Sequence, residues 1–178
     1  IGRAIARAFG ENGAKVVAVD LNLEGAKETV AAFPDSCAME CNIADEESCK
    51  KLIADVVEKY GKLDVLMNNA GFGIFGPFEE TPLQKAKKQV DVSFFGAFLM
   101  AKAVLPYMRK QRNGKIINTS SIGGVIPLPF QGFYSASKAA MDMLFDSLRP
   151  EVYPYRIQIC SIKPGDAKTN FTKNREQD

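Results

Sequence analysis

Apolar positions along the chain recur at two periods, and the switches between them mark out the elements. Ile1, Ile5, Ala8 and Phe9 fall at helical spacing, and the pattern stops at Asn12-Gly13, which predicts a first helix. Residues 14–19 then read as a buried strand closed by Asp20. A polar-faced helix over 23–33 and a Cys-rich strand follow, and Asn42-Ile43-Ala44-Asp45 opens a helix with Leu52, Ile53, Val56, Val57 and Tyr60 on its inner face. Gly61 stops that helix, and residues 63–67 form another strand. Thr81-Pro82 is a good start for a long helical stretch that runs toward Arg112. A strand at 115–119, a helix from Phe133 and a strand at 156–162 complete the order. Strands alternating with helices predict an α/β fold, a doubly wound parallel sheet with right-handed crossovers.

Two of these helices are apolar on more than one face. Phe94, Phe98, Ala101 and Leu105 mark one face of the long helix, and Ala97, Met100 and Val104 mark another. In the helix from Phe133, Met141, Leu144, Phe145 and Leu148 stand beside Ala136, Ala140 and Met143. A helix apolar on two faces must bury both. One face covers the sheet. The other is expected to meet a second subunit or to pack against further chain.

Composition narrows the function classes. With 178 residues, 46% of them hydrophobic, the chain can bury one sizeable core and reads as a single domain over 1–178. The net charge of +2 is small and its cations are dispersed among acids, so no nucleic-acid footprint is expected. No apolar run reads as a membrane span or a signal peptide. Cys37, Cys41, Cys49 and Cys160 lack CxxC spacing and read as core thiols of a reducing, cytoplasmic setting. There is no histidine, which excludes a Ser-His-Asp triad or an HExxH zinc site within these residues; no metal site is expected.

The candidate chemistry lies between Lys115 and Lys138. Two hydroxyls, Ser120 and Ser121, end the strand, and a Gly- and Pro-punctuated loop leads to a helix bearing Tyr134 and Lys138. Four residues apart, Tyr134 and Lys138 project from one helix face. Such pairs are commonplace on helix surfaces, but the chemistry is available: free tyrosine has a pKa near ~10. A positive charge about 6 Å away, at an effective dielectric of about 20, is worth roughly 3 kcal/mol, or about two pKa units. That brings the phenol within reach of proton transfer with a carbonyl or alcohol oxygen. Ser121, at the strand end, is returned beside it by the strand-loop-helix path.

Taken with Asn68-Asn69-Ala70-Gly71 and Pro164-Gly165, this constellation resembles the short-chain dehydrogenase/reductase family, whose active site is a Ser, a Tyr and a Lys at this spacing. The resemblance covers nearly the whole chain. It implies that Tyr134 gives or takes the proton, Ser121 hydrogen-bonds the substrate oxygen, and Lys138 depresses the Tyr pKa and holds the nicotinamide ribose. Ser93, in Val90-Asp91-Val92-Ser93-Phe94-Phe95-Gly96, stands where relatives carry a fourth catalytic residue, an Asn that holds a proton-relay water. Ile1-Gly2 matches the last two residues of the Gly-rich turn. The resemblance places the cofactor against these two residues, Asp20-Leu21, Asn42-Ile43, Asn69-Ala70-Gly71, Tyr134, Lys138, and Pro164, Gly165, Ala167 and Thr169 of the P-G-x-x-x-T segment.

Asp20 at a strand end is either a solvated turn carboxylate or an acceptor for the adenosine ribose hydroxyls. In the second reading it repels a 2′-phosphate, and Leu21-Asn22 supplies no cation to offset it, so NAD is expected over NADP. The resemblance also implies a first strand, lying between the strands ending at Asp20 and Asn68, and further C-terminal elements; the Rossmann-like domain is expected to be incomplete at both ends.

Taken together, these readings predict an oxidoreductase that transfers hydride between NAD and a small-molecule carbonyl or secondary alcohol. Ile126, Leu128, Phe130 and Phe133 lie between Ser121 and Tyr134, and the apolar loop at 72–78 is a candidate substrate mouth. They point to an apolar substrate (steroid, acyl thioester or lipid ketone), or else they pack the loop. A homodimer or homotetramer through the helices around 92–112 and 133–149 is expected, as in relatives. The alternative is a non-catalytic dinucleotide-binding or regulatory protein on the same scaffold.

Overall fold

The computed structural model describes residues 1–165 and 176–177. Helix α1 (Gly2–Glu11) leads to β1 (Val17–Asp20), α2 (Leu23–Val30) and β2 (Cys37–Glu40), with β1 and β2 paired in parallel. Helix α3 (Glu46–Tyr60) begins where the Asp45 carboxylate accepts from the Ser48 N–H at 2.7 Å, and Glu46 and Glu47 complement the positive end of its dipole. Gly61, at φ 75°, ends it in the left-handed conformation that glycine adopts freely.

Strand β3 (Val65–Asn68) follows, then the short β4 (Ile74–Phe75) and α4 (Leu83–Val90). A π-helical turn, Asp91–Phe95, joins α4 to α5 (Gly96–Gln111). Strand β5 (Gly114–Thr119), helix α6 (Gly132–Val152) and β6 (Ile157–Ile162) come next. Backbone at Glu176–Gln177 forms β7, parallel to β4.

Every ladder is parallel, as the alternation of elements requires. The ladders fall into separate pieces, with the break between β1 and β3, where the sequence reading expects a further strand. One piece is β1–β2, another is β3–β5–β6, and among the described residues no ladder joins β1 to β3.

The core lies where α3, α5 and α6 cover β3–β5–β6. Leu66, Ile116 and Ile157 from the sheet meet Ile53, Val104, Met108, Met141, Phe145 and Val152 from the helices, all within one buried cluster. A side chain such as Phe145, 1% exposed, would cost about 3–5 kcal/mol on truncation to Ala.

Both helices separate into a buried and an exposed apolar side, but Ala101, read with Phe98, is buried with Ala97, Met100 and Val104 instead. Ala97, Met100, Ala101, Val104 and Met108 are buried on α5, while Phe95 and Phe98 are exposed; on α6, Met141 and Phe145 are buried and Met143 is exposed. Two readings need correction. The continuous helical stretch Leu83–Gln111 does contain an 18-residue window of mean hydropathy 1.4, so by length and composition alone it passes for a membrane span. Its inner face nevertheless belongs to the core. Cys41 and Cys49 are buried and Cys37 is partly so, but Cys160 is exposed on β6, because that strand alternates its faces. All four thiols are free.

Candidate active site

The end of β5 sets the site's geometry. Beyond Thr119 the chain passes through Ser120 and Ser121 into a 3-10 turn, Ile122–Gly124, and the Ser121 Oγ accepts from the Gly123 N–H at 3.0 Å. That turn lies directly on α6. A Cβ at Gly124 would stand 3.1 Å from the Lys138 and Ala139 backbone, and one at Gly123 would stand 3.3 Å from the Tyr134 ring. Two small residues in succession thus let the Ser121 turn dock against the helical turn that carries Tyr134 and Lys138.

Both of those side chains are buried, at 8% and 4% exposure. The Lys138 Nζ stands 6.0 Å from the Tyr134 ring centroid and donates to the Thr119 carbonyl at 2.7 Å. Burial pulls the Lys138 ammonium down from its ordinary 10.5 to about 8, against the opposing pull of the Asp142 carboxylate. At neutral pH it therefore remains mostly charged.

On the cofactor side, the Asn69 Oδ1 accepts from Thr119 Oγ1 at 3.3 Å, and Asn68 Nδ2 donates to Asn118 Oδ1 at 3.0 Å, which knits the ends of β3 and β5. A Cβ at Gly71 would lie 3.3 Å from Ser93 Oγ and 3.5 Å from Lys138 Nζ, so a side chain there would fill the space that all three border. Ser93 is 1% exposed, and its Oγ has no hydrogen-bond partner. It sits on the π-helical turn, a device that often marks functional positions and that hydrophobic spacing did not reveal. Gly2 abuts the same corner: a Cβ on it would meet the Asn69 Nδ2 at 2.7 Å.

The remaining sequence candidates are more peripheral. Ile1 and Ala70 are exposed; so is Asp20, whose Oδ1 accepts from the Asn22 N–H at 2.9 Å while Leu21 points to solvent. The Asn42 amide oxygen caps its own turn by accepting from Ala44 N–H at 3.1 Å. Ile43 packs onto Gly96, whose Cβ position lies 2.7 Å from the Ile43 Cδ1. Pro164 is held beside the Ser121 turn because its carbonyl accepts from the Ile122 N–H at 3.0 Å, with Gly165 next to it. Ala167 and Thr169 lie outside the described residues.

An apolar cleft of about 280 Å³ lies at the start of α6, between Ile74, Gly76, Phe78 and Thr81 on one side and Leu128, Pro129, Phe130, Gly132 and Phe133 on the other; Ser121, Tyr134 and Lys138 are not among its lining residues. The Gly76 N–H donates to the Phe130 carbonyl at 3.1 Å, and the Phe78 and Phe133 rings stack at 6.4 Å. Leu128, Phe130 and Phe133 line it as anticipated. Ile126 does not: it is 58% exposed and stands away from the walls.

Comparison with known proteins shows the family and the fold. All of residues 1–178 match the family profile described as short chain dehydrogenase. The chain is 47% identical over 134 residues to a 3-ketodihydrosphingosine reductase of Bacteroides thetaiotaomicron, covering 75% of this chain and 50% of that protein. It superposes on a short-chain dehydrogenase from Streptomyces avermitilis with a TM-score of 0.90 and 37% identity, covering 95% of this chain and 62% of that one. An NAD+-bound xylitol dehydrogenase gives a TM-score of 0.84 at 32% identity, covering 93% of this chain and 66% of that one. The chain spans about half the length of the curated relatives it matches.

Proposed function

The chain belongs to the short-chain dehydrogenase family, and from that premise we propose that the protein moves hydride between a nicotinamide cofactor and a carbonyl or secondary alcohol on an apolar, lipid-like substrate. The observation that carries this reading is the burial of Tyr134 and Lys138 on one face of α6, with the Ser121 turn docked on them through Gly123 and Gly124. The space bordered by Gly71, Ser93 and Lys138 suits a planar ring, since a side chain at 71 would block it. When bound, the nicotinamide supplies or accepts the hydride.

The chain's own residues handle the proton and the geometry. The Tyr134 phenol gives its proton to the substrate oxygen in reduction and takes it back in oxidation. Because the Ser121 Oγ already accepts from Gly123, its O–H is free to donate to the substrate oxygen. The Lys138 ammonium, held by the Thr119 carbonyl, favours the phenolate electrostatically and would hold the nicotinamide ribose. Ser93 holds a relay water next to Lys138 through its carbonyl or its unpartnered hydroxyl.

The cleft walled by Leu128, Phe130 and Phe133 supports an apolar substrate. Among apolar classes, similarity to a 3-ketodihydrosphingosine reductase favours a long-chain lipid ketone. Asp20, without a neighbouring cation, favours NAD over NADP. The outward apolar residues Phe95 on the π-helical turn, Phe98 on α5 and Met143 on α6 support a homodimer or homotetramer through these helices.

The test is Tyr134→Phe in the whole protein, assayed with 3-ketodihydrosphingosine. Turnover should fall by about 10²–10⁴-fold while the cofactor dissociation constant stays nearly unchanged. A variant that keeps most of its kcat would show the acid/base assignment to be wrong.

A further inference from the structure

Sequence reasoning passed over Asp142. It lies one helical turn beyond Lys138 and two beyond Tyr134, so all three project from the same face of α6. Asp142 is 7% exposed. Its Oδ2 accepts from the Ser120 Oγ at 2.8 Å and stands 3.2 Å from the Lys163 Nζ, while its buried Oδ1 has no partner. Ser120 immediately precedes Ser121, and Lys163 immediately precedes Pro164-Gly165. One carboxylate therefore joins the helix of the acid/base pair to both strand ends that flank the site.

A purely structural tie would not need the charge. An amide oxygen accepts from Ser120 equally well, whereas a buried carboxylate with one unpaired oxygen is destabilising unless a cation compensates it. Two cations are in position to do so, Lys163 just past β6 and Lys138 from the preceding turn of α6.

We propose that Asp142 is a positioning residue for the Tyr134–Lys138 pair, clamping the ends of β5 and β6 onto α6 and acting as counter-charge to the buried Lys138 ammonium. The proposal rests on the reading of Tyr134 and Lys138 given above. The groups that face Lys138 define how it responds. From α6 these are Tyr134 and Asp142, and from just past β6 it is Lys163, acting across Asp142; the loop after β3, the end of β5 and the π-helical turn present the uncharged Gly71, Thr119 and Ser93. Loss of the Asp142 charge and loss of the Lys163 charge should therefore move Lys138 in opposite directions.

The experiment is a pH titration of the whole protein carrying ¹³C-labelled lysine, read by NMR, with the Lys138 resonance identified by its disappearance in Lys138→Met. Asp142→Asn should lower the Lys138 midpoint by about half a unit to one unit, and the alkaline limb of kcat/KM should follow it. Asp142→Glu should restore it, and Lys163→Met should raise it. A midpoint unmoved in folded Asp142→Asn, or one that Lys163→Met leaves in place or lowers, overturns the proposal. Should Asp142→Asn fail to fold, Lys163→Met carries the test, since its side chain is 39% exposed. Failure of the underlying reading looks different: Tyr134→Phe would retain turnover whatever Lys138 does.

Discussion

At Asp20 two demands meet on one carboxylate. It closes its own turn by accepting from the Asn22 N–H at 2.9 Å, yet it remains exposed at the C-terminal end of β1, where a ribose would be held. A carboxylate has acceptor sites for both, so the turn does not exclude the ligand. Asp20→Ala should lower kcat/KM for NAD by about tenfold to a hundredfold, the scale of one charge-assisted hydrogen bond, and should lower it far less for NADP. Steady-state kinetics with the two cofactors checks this. Equal values for both in the unaltered protein would remove Asp20 from the cofactor site.

Among the elements, the π-helical turn at Asp91–Phe95 has the most direct bearing on function, because it buries Ser93 beside Lys138 and leaves its hydroxyl unpartnered. Ser93→Asn would offer an amide that reaches further across the relay space. It should raise kcat about tenfold, equivalent to about 1.4 kcal/mol of barrier, as single-turnover rates would show. No gain, or a loss, would mean that the turn has no room for the amide. The longer helices, strands β1–β3, β5 and β6, and the position of the Tyr134–Lys138 pair were legible in the sequence because each follows a period of burial: Leu52, Ile53 and Val56 at helical spacing, and the strand ending at Thr119 before two hydroxyls. The two-residue strands β4 and β7 were not, because two residues are too short to show a period. The π-helical turn was not, since the one-residue shift of face that it introduces is masked by apolar residues on more than one side of the helix. Ile126 was misplaced for a related reason: apolarity marks a loop residue as able to line a cleft, but the backbone decides whether it faces inward. Asp142 was missed because one carboxylate four residues past a lysine reads as a surface ion pair until its burial is known.

At the scale of the molecule, the divided sheet leaves β1 and β3 each with an edge that no described strand pairs. Unpaired parallel edges flanked by apolar side chains are an association hazard. These 178 residues expressed alone should aggregate or stay partly unfolded, and should bind NAD weakly. A cooperative thermal melt with micromolar NAD affinity for the isolated segment would contradict that. The same topology has a temporal side. β3 finds its partner β5 only after a separation of 50 residues, as in the Asn68–Asn118 side-chain bond that knits their ends. At a synthesis rate of roughly 5–20 residues per second, the apolar β3 strand waits on the order of 3–10 s outside the ribosome before β5 arrives. Slowing translation between Asn69 and Gly114 would lengthen that wait, so synonymous codons in this interval should govern soluble yield more strongly than those in the β1–β2 unit, whose strands lie only 20 residues apart in register.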